Sequence, residues 1–153
     1  MALKLTSDAF SNGDSIPVRF TGQGGNFSPQ LAWSDLPAGT KSLAVTCLDP
    51  DAPRGMFIHW VLFNVPADAR GLKEGIPPKP VLLDGAVQGT NDFGELGYGG
   101  PDPPPGKPHR YLFKLLALDT TLDLAPGASR AELNAQTSGH ILAETELMGT
   151  YGR

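Results

Sequence analysis

The chain has 153 residues, with 19 Gly, 15 Pro, a formal net charge of -4 and a pI near 5.2. That length suits one domain, residues 1–153, with a core that needs no covalent staples, and so much turn chemistry favours many short strands over a helical bundle. The acidic balance, without any Lys/Arg run, excludes a basic footprint for nucleic acid or an anionic bilayer, and Cys47, the single cysteine, excludes an internal disulfide.

The N-terminal run Met1-Ala2-Leu3-Lys4-Leu5 turns polar at Thr6, too early for a signal-sequence core. No apolar stretch approaches a membrane span. A cytoplasmic protein without integral membrane contact is therefore expected. Gly13, Pro17, Gly22, Gly24, Gly25, Pro29 and Pro37 punctuate the first part of the chain, leaving room for short strands at Ile16 to Thr21 and Gln30 to Trp33. Lys41 to Leu48 reads as a strand whose Leu43, Val45, Cys47 and Asp49 share one face, so Asp49 ends an otherwise apolar face. Phe57 to Val65 is apolar on both parities, the pattern of a central strand covered on both sides, which buries His59 or sets it in a pocket wall.

Residues 66 to 108 carry no long periodic element, and so long an irregular stretch in a compact domain usually has a functional reason. Arg110 to Asp119 is the next strand, with Tyr111, Phe113, Leu115 and Ala117 on one face and His109 on the same parity. Ser129 and Glu132 form a capping box that opens a helix ending near Thr137 at Gly139. His140 to Tyr151 fits a strand better than a continued helix.

Two acids, two histidines and a tyrosine thus stand at strand ends or within apolar runs: Asp49, Asp51, His59, His109 and Tyr111. Pro50 and Pro53 stiffen the loop that carries both carboxylates. A carboxylate beside an imidazole sets its tautomer and favours the charged ring, which can hold an anion. The Gly97 to Gly106 loop adds backbone N–H groups that glycine lets approach a ligand closely. Singly, each residue has a blander reading: Asp-Pro-Asp as a turn, a histidine as a satisfied core residue, Tyr111 as packing, Arg110 as a sheet-face ion-pair partner, Cys47 as a buried hydrophobe. Their coincidence makes the site, and its chemistry suits a phosphate, sulfate or carboxylate, with room for an ammonium beside the aspartates.

Asp49-Pro-Asp-Ala-Pro53 with His59-Trp60, Gln88-Gly-Thr-Asn-Asp-Phe-Gly94, and Gly97 through Tyr111 resemble the phosphatidylethanolamine-binding protein family, in its bacterial, Raf kinase inhibitor-like branch. The segments Asn26 to Trp33 and Gly139 to Tyr151 agree, so the resemblance covers nearly the whole chain. It implies a mostly β fold, an antiparallel sandwich of a large sheet packed on a smaller one with a short helix near the C-terminus. It also implies a shallow pocket for phosphate-like groups or phosphorylethanolamine. By position that pocket falls on Asp49, Asp51, Pro53, His59, His109 and Tyr111, with Gly99, Gly100 and Pro101 in the rim loop. Many bacterial relatives carry cysteine where this chain has Gly22 and Asp102, and Asp102 adds negative charge beside the anion site. Leu116 stands where an aromatic is common.

The expected function is non-catalytic binding of a small anionic ligand, with no cofactor and no metal, Asp49 and Asp51 orienting the imidazoles. Lipid-headgroup binding and modulation of a kinase or other signalling partner come from the resemblance, kinase inhibition as its weakest part. Two alternatives stay open. One is a hydrolase or a metal site of two histidines and an aspartate, although no His-x-x-x-His, Cys-x-x-Cys or Gly-x-Ser-x-Gly pattern supports it. The other is a surface, such as a homodimer face, that acts on a kinase or protease partner.

Overall fold

A computed structural model describes residues 2–153. Eight strands form two antiparallel sheets. The smaller is ordered β1 (Lys4–Thr6), β2 (Leu31–Ser34), β5 (Gly71–Leu72). The larger is ordered β6 (Val87–Gln88), β4 (Phe57–Pro66), β3 (Ser42–Asp49), β7 (His109–Leu118), β8 (Ile141–Tyr151). One helix, α1 (Arg130–Thr137), precedes β8. No helix among the described residues is long and apolar enough to cross a membrane.

Both faces of the large sheet are covered, which is why β3 is buried at every position. One face carries Leu43, Val45, Cys47, Trp60, Leu62, Tyr111, Phe113 and Leu115, packed against Leu5, Leu31, Trp33 and Leu72 of the small sheet. The other carries Ala44, Val61, Phe63, Leu116 and Leu118, under Leu122 and Leu133. Leu133 comes from α1, whose start is the expected capping box: the Ser129 side chain accepts from Glu132 N while Glu132 Oε1 accepts from Ser129 N. Gly139, at φ +82°, follows the helix, where glycine tolerates left-handed backbone without a Cβ clash.

The strand expected over Ile16 to Thr21 is not one. Pro17 sits at φ −59° and starts a 3₁₀ turn, Val18–Phe20. Ile16 instead donates its N–H to Thr150 O at 2.7 Å, beside a single bridge between Ser15 and Thr150. Proline has no N–H for a ladder, so the run is too short to pair beyond that contact.

β4 departs from simple alternation at two places. Pairing passes from Leu43↔Val65 to Val45↔Leu62, so Phe63 and Asn64 oppose Ala44, and Asn64 takes φ +55°. Its amide then locks the following layer: Nδ2 donates to Leu122 O and Oδ1 accepts from Leu122 N. Pairing also passes from Cys47↔Trp60 to Leu48↔Ile58, leaving His59 as the extra residue of a β-bulge. A bulge resets parity. Phe57, His59 and Trp60 therefore all face the small-sheet side, although strict alternation separates His59 from Trp60.

Candidate functional site

The C-terminal end of β3 and the N-terminal ends of β4 and β7 lie together because these neighbours run antiparallel. That brings Asp49, Phe57, His59, His109 and Tyr111 to one end of the sheet. They line a cavity of about 160 Å³ closed by Ala52, Pro53, Phe93, Asp102, Pro103 and Pro104. Pockets for drug-sized ligands span roughly 300–1,000 Å³, so this cavity is small beside them.

Asp49 is buried, and both its oxygens are used: Oδ1 accepts from Asp51 N at 2.8 Å and Oδ2 from His109 Nδ1 at 2.7 Å. A carboxylate accepts only, so His109 carries its hydrogen on Nδ1, and Nε2 is the nitrogen left for the pocket. When the ring is charged, Nε2–H is a second donor.

His59 is also buried but is held differently. Its Nδ1 donates to Gly99 O at 2.6 Å, while Gly99 N donates back to His59 O at 2.9 Å. The loop thus zips onto the edge of β4, with Gly89 N on Val61 O and Asp92 N on Ile58 O. Burial pushes the His59 pKa down, more than the Gly99 carbonyl and the Asp49 carboxylate raise it. This reverses the expectation of a carboxylate-charged imidazole for His59: its Nδ1 meets a carbonyl, and desolvation disfavours the cation.

Tyr111 is fully buried, and its hydroxyl has no hydrogen-bond partner among the described residues. Burial, with the Asp49 carboxylate next, raises its pKa far above the ordinary phenol range, so it stays protonated. Its ring stands edge-on to His59 at 5.2 Å and lies nearly parallel to His109 at 6.4 Å. Phe57 and Phe93 complete an aromatic wall, each with its ring centroid 4.8 Å from a neighbour.

Asp51 does not orient an imidazole. Its carboxylate grips Arg110 through Nε and Nη2, each at 2.9 Å, and accepts from Arg110 N. Arg110 is the ion-pair partner that its parity implied, and it lies outside the cavity lining. The guanidinium lowers the Asp51 pKa to about 2. Pro53 lines the cavity as expected. Gly99, Gly100 and Pro101 hold the rim rather than line it: Gly100 N donates to Asn26 Oδ1 at 2.7 Å, and Pro101 O accepts from Gly22 N at 2.8 Å.

Several residues that shape the site had no chemical signal of their own. Gln88 accepts from Trp60 Nε1 and donates to Pro77 O and Lys79 O. Asn91 caps its own loop, donating to Gly97 O and accepting from Phe93 N and Glu95 N. They lie in the Gln88 to Gly94 motif, and Asn26 in the Asn26 to Trp33 segment, where the only available signal was the resemblance. A built Cβ on Gly22 would lie 3.1 Å from Asp102 Cβ, so these two positions are adjacent. Cys47 is buried, and desolvation raises its thiol pKa well above the ordinary value, so it is no ready nucleophile. Among the described residues, no three His, Cys, Asp or Glu side chains converge to hold a metal ion.

Two antiparallel sheets, a short helix and a small, largely apolar cavity that gathers Asp49, His59, His109 and Tyr111 at one sheet end define the class as a two-sheet β-sandwich. The model of the phosphatidylethanolamine-binding protein family matches residues 6–152, and the chain belongs to that family. It is 50% identical over 151 residues to a UPF0098 protein of Methanothermobacter thermautotrophicus, covering 99% of each chain. It is 45% identical over 157 residues to the UPF0098 protein YbhB of Escherichia coli, covering 97% of this chain and 99% of that one. The solved structure of Escherichia coli YbcL, described as a member of the mammalian family, superposes with a TM-score of 0.93 at 37% identity, covering 100% and 99% of the two chains. A putative homolog from Chlamydia trachomatis superposes with a TM-score of 0.91 at 41% identity, covering 99% and 98%.

Proposed function

We propose that this chain is a non-catalytic binding protein whose cavity among His59, His109 and Tyr111 holds a small anionic group: phosphate, phosphorylethanolamine or a carboxylate-like ion. The observation that carries this reading is the buried Tyr111 hydroxyl without a partner, beside a histidine anchored by a buried carboxylate. A buried unpaired hydroxyl costs about 1–3 kcal/mol, and a ligand oxygen relieves that cost. Family membership supports a small ligand, and the cavity size favours a headgroup without its acyl chains. We read the unit as one domain, residues 1–153, working in the cytoplasm without a cofactor. A phosphorylated side chain of a protein presents the same group, which is how a kinase or other signalling partner would be engaged.

Isothermal titration with phosphorylethanolamine across about pH 5.5–8 tests the reading, since an anion prefers imidazolium and affinity should fall as pH rises. His109→Ala should abolish binding. No binding at the acid end, or undiminished binding by the variant, refutes it. A pull-down of a partner that survives the same substitution would move the activity to a surface outside the cavity.

A further inference from the structure

We infer that the outer edge of β8 takes up an extended, positively charged segment of another protein as an added strand, with Glu144 and Glu146 reading its charges. This surface is separate from the cavity: Glu146 pairs with Lys114, which lies roughly 17 Å along β7 from His109. β8 is the last strand of the large sheet, so β7 pairs with only one of its edges. Over the C-terminal part of β8 the other edge is closed by the chain itself. Gly13 N donates to Met148 O, Thr150 N donates to Asp14 O, and Ile16 N donates to Thr150 O. Asn12 Oδ1 accepts from Met148 N and ends that ladder.

These bonds fix the phase of the strand. Met148 and Thr150 turn their main-chain groups outward, so by the two-residue period Glu144 and Glu146 do the same. Their N–H and C=O groups meet no partner among the described residues. Both side chains are exposed, and among the described residues neither closes an ion pair, although Lys114 stands opposite Glu146. Ile141 and Leu142, 44% and 41% exposed, lie just before them. An unpaired edge is a template for a further strand, and the charges along it decide which strand is admitted. Pairing two β8 edges antiparallel over these residues would set glutamate against glutamate, and like charges directly opposite are destabilising. An acidic segment fails for the same reason. A segment with Lys or Arg at alternate positions instead places a cation beside each glutamate and completes the main-chain hydrogen bonds of both residues. It can also rest an apolar side chain on Ile141 and Leu142.

The test uses the full chain with a capped heptapeptide, Thr-Val-Lys-Val-Lys-Val-Thr, and its counterpart with Glu in place of both Lys, at low ionic strength where surface charges are least screened. Amide hydrogen exchange is followed residue by residue by NMR. At saturation the Lys peptide should slow exchange at Glu144 and Glu146 by about 10-fold or more. Thr145, whose amide faces β7, should not change. The Glu peptide should protect neither glutamate. Glu144→Lys combined with Glu146→Lys should reverse the preference, a gain that an unfolded variant could not show. Protection of both amides by the two peptides alike, by neither peptide, or by the Lys peptide in the doubly substituted chain overturns the proposal. So does slow exchange at those amides in the chain alone that deepens with protein concentration, the sign of a second copy on the edge.

Discussion

Tyr111→Phe separates the cost of the site from its use. Tyr111 is 0% exposed and its hydroxyl meets no acceptor or donor among the described residues, while the ring packs within a layer that includes Phe113 and Leu115. Phenylalanine keeps that ring and deletes only the orphan oxygen. A buried unpaired hydroxyl costs about 1–3 kcal/mol, and a hydrogen bond to a charged group contributes about 1.5–3 kcal/mol. The ligand-free variant should then be more stable by about 1 kcal/mol, which for a chain of this size raises Tm by roughly 2–4 °C. Its affinity for phosphorylethanolamine should fall about 10-fold or more. Urea unfolding in phosphate-free buffer measures the first effect, and titration calorimetry the second. Opposite signs are the signature of a group kept for binding at the expense of stability. A variant destabilised by about 1 kcal/mol or more would refute the reasoning, because it would mean the hydroxyl has a structural partner.

Three further outcomes follow from the geometry. Because burial lowers the folded pKa of His59, its contribution to stability is full above the unfolded value of about 6.5 and is lost as pH falls through the lower folded one. His59→Gln should flatten that limb, and urea midpoints at about pH 7.5 and pH 5 would expose an unchanged slope if the account is wrong. The Asp51 pKa, lowered to about 2 by Arg110, makes the pair's contribution present above about pH 4 and lost as pH falls through the folded value. Solvent screens it, so Asp51→Asn should cost less than about 1 kcal/mol near neutrality, with phosphate affinity unchanged within about 3-fold; a larger loss of affinity would place Asp51 in the binding machinery. Gly100→Ala should weaken binding and stability together, since a Cβ there would strike the Phe20 carbonyl oxygen and lie 2.9 Å from Thr21 Cα. Wild-type calorimetric and denaturation curves for that variant would show the rim to be softer than its contacts imply.

Much of the fold was legible in the sequence because its signals are local. The apolar runs become β3, β4 and β7, the Ser129/Glu132 box starts α1, and the last run is β8 rather than a continued helix. Ile16 to Thr21 failed for a local reason as well, since Pro17 turns the chain before a ladder forms. At the site, residue chemistry picked out Asp49, His59, His109 and Tyr111, the resemblance added Pro53, and all five line one cavity. Asp51 has the same residue type and the same stiff loop as Asp49, yet it turns to Arg110. Nothing in a dipeptide spacing distinguishes them. Phe57 and Phe93 were not singled out from the sequence, and they form the cavity wall.

By itself, then, the sequence determined the β-rich class, the helix boundary and most of the polar residues that gather at the cavity, because composition, periodicity and capping act over a few neighbouring positions. Only the tertiary structure decided what each of those residues does. The bulge at His59 resets the parity that alternation assumes. The Gly99 carbonyl, 40 positions away, assigns its tautomer. Burial sets its charge against the pull of nearby carboxylates. Each of these depends on long-range backbone contacts and desolvation, which exist only once the sheets have closed over the cavity.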